Sequence, residues 1–115
     1  FHITSDDVLT WDQIYRILGR AAGAEPTIVH APSDLIARHH ADWGDGLLGD
    51  KAHSVLFDNS KIKRFVPGFG CTIPFARGAE EIMAWYDEDP ARQIVDESFD
   101  RAMDAVVEAM ARARG

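Results

Sequence analysis

The sequence predicts an α/β or α+β fold of about three short strands with flanking helices, and three observations carry that prediction. Short apolar or β-branched runs recur at residues 1–4, 27–31 and 54–57, stripes of helical period lie between and after them, and proline, glycine and capping residues punctuate the joins. No low-complexity linker or internal repeat interrupts the 115 residues, so a single domain is expected.

Each element follows in order. Phe1 to Thr4 reads as the first strand, turned by Ser5-Asp6-Asp7. Thr10-Trp11-Asp12-Gln13 has the form of a capping box, in which a hydroxyl and an amide satisfy reciprocal orphan N–H groups at a helix start. Trp11, Ile14, Tyr15, Leu18 and Ala22 repeat at helical spacing, which predicts one buried face and an end near Gly23. Pro26 opens a second strand over 27–31, closed by Pro32. Ser33 is expected to cap a helix through Leu35, Ile36 and His39, which gives way to a glycine-broken stretch at 43–49.

The third strand, Ser54-Val55-Leu56-Phe57, leads into Asp58 and Ser60, two competing caps. A helix of one or two turns follows, carrying Lys61, Lys63 and Arg64 and stopped by Pro67. Beyond the turn Gly68-Phe69-Gly70-Cys71, Pro74 suits the first turn of a helix, where its missing N–H is no loss. That helix is expected to run to about Tyr86 with Phe75, Ile82, Trp85 and Tyr86 inward. Asp89-Pro90 repeats the device. Phe99, Met103, Val106 and Met110 then form an apolar stripe on a C-terminal helix.

Composition bounds the function. With 46% hydrophobic and 27% charged residues, the chain reads as a soluble domain, and it contains no apolar run near the ~20 residues that span a bilayer. A formal net charge of −7 opposes broad binding to nucleic acid or anionic membranes. One cysteine, Cys71, excludes an internal disulfide and a cysteine-rich metal site, which suits a reducing, cytoplasmic setting. Phe1 stands inside a strand-like run, so the chain reads as a piece of a longer polypeptide.

The segments FHITSDDVLTWDQIYRILGRAAGAEP, TIVHAP, VLFDNSKIKRFVPGFG and TIPFARGAEEIMAWYDEDP occur in an order that resembles a known family. It is the C-terminal, substrate-binding lobe of the NAD-dependent epimerase/dehydratases, the extended short-chain dehydrogenase group. The resemblance covers nearly the whole chain and implies a small-molecule substrate, an upstream Rossmann domain holding NAD(P), and an oxidoreductase or isomerase reaction. It also implies what this chain lacks. The family binds its cofactor at a G-x-x-G-x-x-G turn and reacts through Tyr and Lys four residues apart. Here Tyr15 is followed at that spacing by Gly19, and Tyr86 by Pro90. Gly68 and Gly70 have no strand-turn-helix around them. The chain alone is therefore expected to bind no cofactor and to carry no catalytic residue. Nucleotide-sugar members commonly place an arginine two positions before the Gly-Asp that opens the late strand; Leu47 stands there instead.

Among candidate ligand contacts, Lys51 and His53 precede the third strand and are assigned to substrate binding. For Asp58 and Ser60, helix capping outweighs ligand contact. Lys61, Lys63 and Arg64 read as a solvated face compensating acids. His39 and His40 are adjacent on a helix, roughly 100° apart, and so do not form an i, i+4 metal pair. Cys71 reads as an inert small hydrophobe. Against the substrate-lobe reading stands a stand-alone binding or interaction module whose Phe99 to Met110 stripe docks a partner helix or forms a homodimer. A small hydrolase finds no nucleophile-base pair.

Overall fold

The computed structural model describes residues 1–114 and contains helices only: 60% of the chain is helical, with no strand among the described residues. This corrects the expected α/β or α+β class. Residues 1–4, 27–31 and 54–57 lie outside any helix, but none is laddered to another. The reason is physical. A four-residue apolar run becomes a strand only when a neighbour accepts its ladder bonds and covers its side chains, and Val55, Leu56 and Phe57 stay 62%, 73% and 61% exposed.

Among the described residues six α-helices form: α1 (Trp11–Ala21), α2 (Ser33–His39), α3 (Ala41–Gly46), α4 (Ser60–Phe65), α5 (Phe75–Asp87) and α6 (Glu97–Arg114). A π-helical turn (Leu47–Lys51) continues α3, and a 3₁₀ turn (Pro90–Arg92) follows α5. The chain divides into two compact units, one of residues 1–28 and 55–93, the other of residues 29–54 and the segment from Ile94 onward.

In the first unit α1 packs on α5. The capping box forms as its residues predict: the Gln13 N–H donates to Thr10 Oγ1 at 3.3 Å and the Thr10 N–H to Gln13 Oε1 at 2.8 Å. Gly23, at φ +70°, lets the chain leave α1, and Gly19 lets it fold back, since a Cβ there would lie 2.6 Å from the Ala24 carbonyl oxygen and from Pro26 Cδ. Ala79 is the fully buried hydrophobe of this unit.

Polar side chains tie the segment before α1 to α4 and α5. Asn59 is buried and donates to the Thr4 carbonyl at 3.1 Å and to Asp6 Oδ1 at 2.9 Å. Lys63 Nζ donates to the same Asp6 oxygen at 2.7 Å. Asp7 Oδ2 accepts from the Phe75 N–H at 2.7 Å, so the first free amide of α5 is capped by a residue 68 positions away. Pro74 accordingly flanks α5 as its N-cap rather than opening it.

In the second unit α2 packs on α3 and on α6. The glycine-broken stretch expected at 43–49 is helical instead. Gly44 is buried against α2, where a Cβ would lie 2.4 Å from the Ala37 Cβ; this glycine permits a close helix approach and breaks nothing. Ser33 falls inside α2, with Pro32 before it as N-cap. Val106 of α6 is 7% exposed. The start of α6 is held by Asp96, whose Oδ1 accepts from the N–H groups of Ser98 (3.0 Å) and Phe99 (3.1 Å). Among the described residues no helix is long and apolar enough to cross a membrane.

Candidate functional site

The second unit contains a cavity of about 470 Å³, within the size range of small-molecule sites. The continuous helical run of α3 and the π-turn supplies one wall, presenting Trp43, Gly46, Leu47 and Lys51, which recur at helical spacing. Ile36 of α2 and Phe99 and Met103 of α6 supply the rest.

His40 sets the position of Trp43. It ends α2 and starts α3, and its Nδ1 accepts from the Trp43 N–H at 3.4 Å, the N-cap of a six-residue helix. Its ring also stacks on the indole, with centroids 4.0 Å apart and planes at 11°. Phe99 meets the same indole at 5.0 Å and 58°. The tryptophan is thus pinned by a stacked ring and a tilted one, both favourable aromatic geometries.

Two charges border this apolar space, Asp42 and Lys51. Lys51 Nζ lies 3.7 Å from Asp50 Oδ2, with side chains 69% and 86% exposed, a pair worth little in water. The ammonium folds back along the helix, to 3.9 Å from where a Cβ of Gly46 would be. Of the two residues assigned to substrate binding, the fold therefore brings Lys51 to the cavity. His53 lies in the exposed bend after the π-turn, outside the cavity lining.

A second cavity of about 420 Å³ in the first unit is bordered by Ser5, Asp7, Ile14 and Phe75. Its polar groups already have structural work: Ser5 Oγ accepts from the Asp7 N–H at 2.9 Å, and the Asp7 carboxylate caps α5.

The remaining candidates resolve locally. Asp58 accepts from the Ser60 N–H at 2.8 Å and from the Ser60 hydroxyl at 2.9 Å. Asp58 thus takes up the first amide of α4 from one place before the N-cap residue, Asn59, and Ser60 is a donor to it. These bonds hold the Asp58 carboxyl below its ordinary range. Bonds from Lys63, first, and Asn59 do the same at Asp6, and bonds from Ser98, first, and Phe99 do so at Asp96. Lys61 sits over the Phe1 ring at 4.9 Å. Cys71 is exposed, its Sγ donating to the Thr4 carbonyl at 3.4 Å. Among the described residues no group of histidines, cysteines or carboxylates is placed to hold a metal.

Asn59 is a position whose role the sequence reading missed, and Trp43, expected as a tryptophan to pack rather than to stack on a ligand, packs on His40 and Phe99 and also lines the cavity. For Trp43 a signal existed: His40 three residues before it is the N-cap spacing, and 43, 46, 47 and 51 continue a helical face through two glycines. Asn59 carried no such mark, because its partners lie more than fifty residues away. Comparison with protein-family models, with curated proteins and with solved structures finds no match.

Proposed function

We propose that this chain is the substrate-binding lobe of an NAD(P)-dependent epimerase/dehydratase-type enzyme, working against a separate dinucleotide-binding domain and catalytically silent by itself. The order of its sequence segments suggests the family, and one structural observation carries the reading: faces patterned for burial lie open. On α1 Trp11 is 73% and Tyr15 50% exposed; on α5 Ile82 is 44% and Trp85 51% exposed. Fully burying an exposed apolar side chain releases about 1.5–3 kcal/mol, and covering these partly exposed ones a corresponding fraction of that, so a partner surface of apolar character is the natural complement.

In this role the lobe positions a small-molecule substrate and excludes water while the cofactor domain supplies hydride chemistry, which demands close alignment of the reacting carbons. Lys51 would contact substrate. The same reading has the protein cytoplasmic, without nucleic-acid or membrane partners, and able to form a homodimer through its open faces.

Two measurements test it. Calorimetry with NAD and NADP should give no binding heat, and micromolar affinity for either would overturn the lobe reading. Light scattering with a hydrophobic dye should show concentration-dependent association and bright emission; a strictly monomeric, dye-silent protein would count equally against it. A stand-alone binding module is the second reading, favoured by the cavity, whose walls all come from one unit.

A further inference from the structure

We infer that the cavity between α2, α3, the π-turn and α6 binds a neutral one- or two-ring molecule bearing a carbonyl or hydroxyl oxygen, which accepts a hydrogen bond from Lys51. The inference concerns this cavity alone and stands whether or not the chain serves an NAD(P) enzyme.

Shape and polarity give the ring. Trp43, Phe99, Met103, Leu47 and Ile36 form the apolar lining. The indole and phenyl planes meet at 58°, so a flat guest can lie against one and present its edge to the other. The Met103 thioether adds a polarizable contact favourable to aromatic rings.

Charge gives the neutrality. The cavity border carries one carboxylate, Asp42, and one ammonium, Lys51, and that ammonium already neighbours Asp50. Two carboxylates against one ammonium leave this border net negative, which disfavours an anion, while the polar group that faces the apolar space, Lys51, offers only donors and so calls for an acceptor that an ammonium guest lacks. A carboxylate guest would meet two aspartates nearby, and an ammonium guest would meet Lys51. An ammonium has three donors, so Lys51 can keep Asp50 and still donate to a neutral oxygen. Its fold-back over Gly46 places those donors at the apolar space.

The test uses a matched set with one ring system: 1-indanone (neutral ketone), indane-1-carboxylate (anion) and 1-aminoindane (cation). The protein is labelled with ¹³C at its three methionine methyls, of which Met103 lines the cavity and Met83 lies on α5 in the other unit. 1-Indanone should shift Met103 saturably, with Kd about millimolar to high micromolar for so small a guest, and leave Met83 still. Both charged analogues should bind at least several-fold more weakly. Lys51→Met keeps the stem and removes the donor, and should weaken 1-indanone roughly three- to tenfold. Gly46→Leu, whose Cβ would have only Lys51 Nζ within 4 Å, at 3.9 Å, extends a branched side chain from the cavity wall and should abolish the shift. Met83 moving in step with Met103, a charged analogue binding more tightly, or no Met103 response in the unmodified protein would each overturn the inference. NAD calorimetry and the scattering mass report on the lobe reading, and the Met103 shift reports on this cavity, so the two failures are distinguishable.

Discussion

Asp6 shows how one carboxylate organises a terminal segment. It takes a bond from the Asn59 amide and one from Lys63 on the same oxygen, and Asn59 spends its other amide hydrogen on the Thr4 carbonyl. Asn59→Ala removes both donors at a buried position and should cost about 1–3 kcal/mol, as is usual when buried partners lose a bond; a shift in the urea midpoint measures it. The carboxyls of Asp6, Asp58 and Asp96 all sit below their ordinary value of 3.8. A carboxyl lowered in the folded chain contributes stability that is fully present above that ordinary value and disappears as pH falls through the folded one. Stability linked to these three groups should therefore be flat from about pH 7 to 5 and decline below about pH 4. Asp6→Asn should make the acid decline shallower in urea titrations across that range, and an unchanged acid limb would remove Asp6 from the account.

At the scale of elements, glycine chemistry separates packing from propensity. Gly44→Ala improves intrinsic helix propensity by about 1 kcal/mol, yet its Cβ would sit 2.4 Å from that of Ala37. Overpacking of this kind costs about 1–3 kcal/mol, so the clash wins and the variant should melt lower. Gly78→Ala meets nothing within 4 Å on α5 and should melt higher, by roughly 0.5–1 kcal/mol of stability. Thermal melts of the two variants side by side check both signs. The same positions show what was legible in the sequence. Local signals held: the Thr10–Gln13 capping box, the end of α1 just before Gly23, the helical start at Asp89-Pro90, which runs for a single 3₁₀ turn, and the α6 stripe each depend on residues a few places apart. Long-range relations were not legible. That Asp7 would cap α5 and that the run 54–57 would find no ladder partner are facts about neighbours distant in sequence, and that Gly44 would face Ala37, though close in sequence, depends on how the chain turns between α2 and α3. Of the candidate site, Lys51 was readable as a cation before an apolar run, whereas Trp43 and Gly46 were hidden inside a stretch whose glycines suggested a break.

For the whole molecule, the decisive quantity is how little apolar surface each unit hides. Ala79 and Val106 are the buried hydrophobes of the described residues, while Leu56 is 73% and Ile94 85% exposed, one in each unit. Side chains this open contribute little to the fold, and substitutions there usually change stability by no more than about 0.5 kcal/mol. They contribute much more to association, where covering each would release about 1.5–3 kcal/mol. Combining Leu56→Lys with Ile94→Lys should therefore leave the melting curve nearly in place while lowering dye emission and shifting light-scattering mass toward the monomer. If the pair instead unfolded the protein without changing its association, those side chains would be supporting the fold. The complement of the open faces would then have to be sought inside the chain rather than in a partner domain.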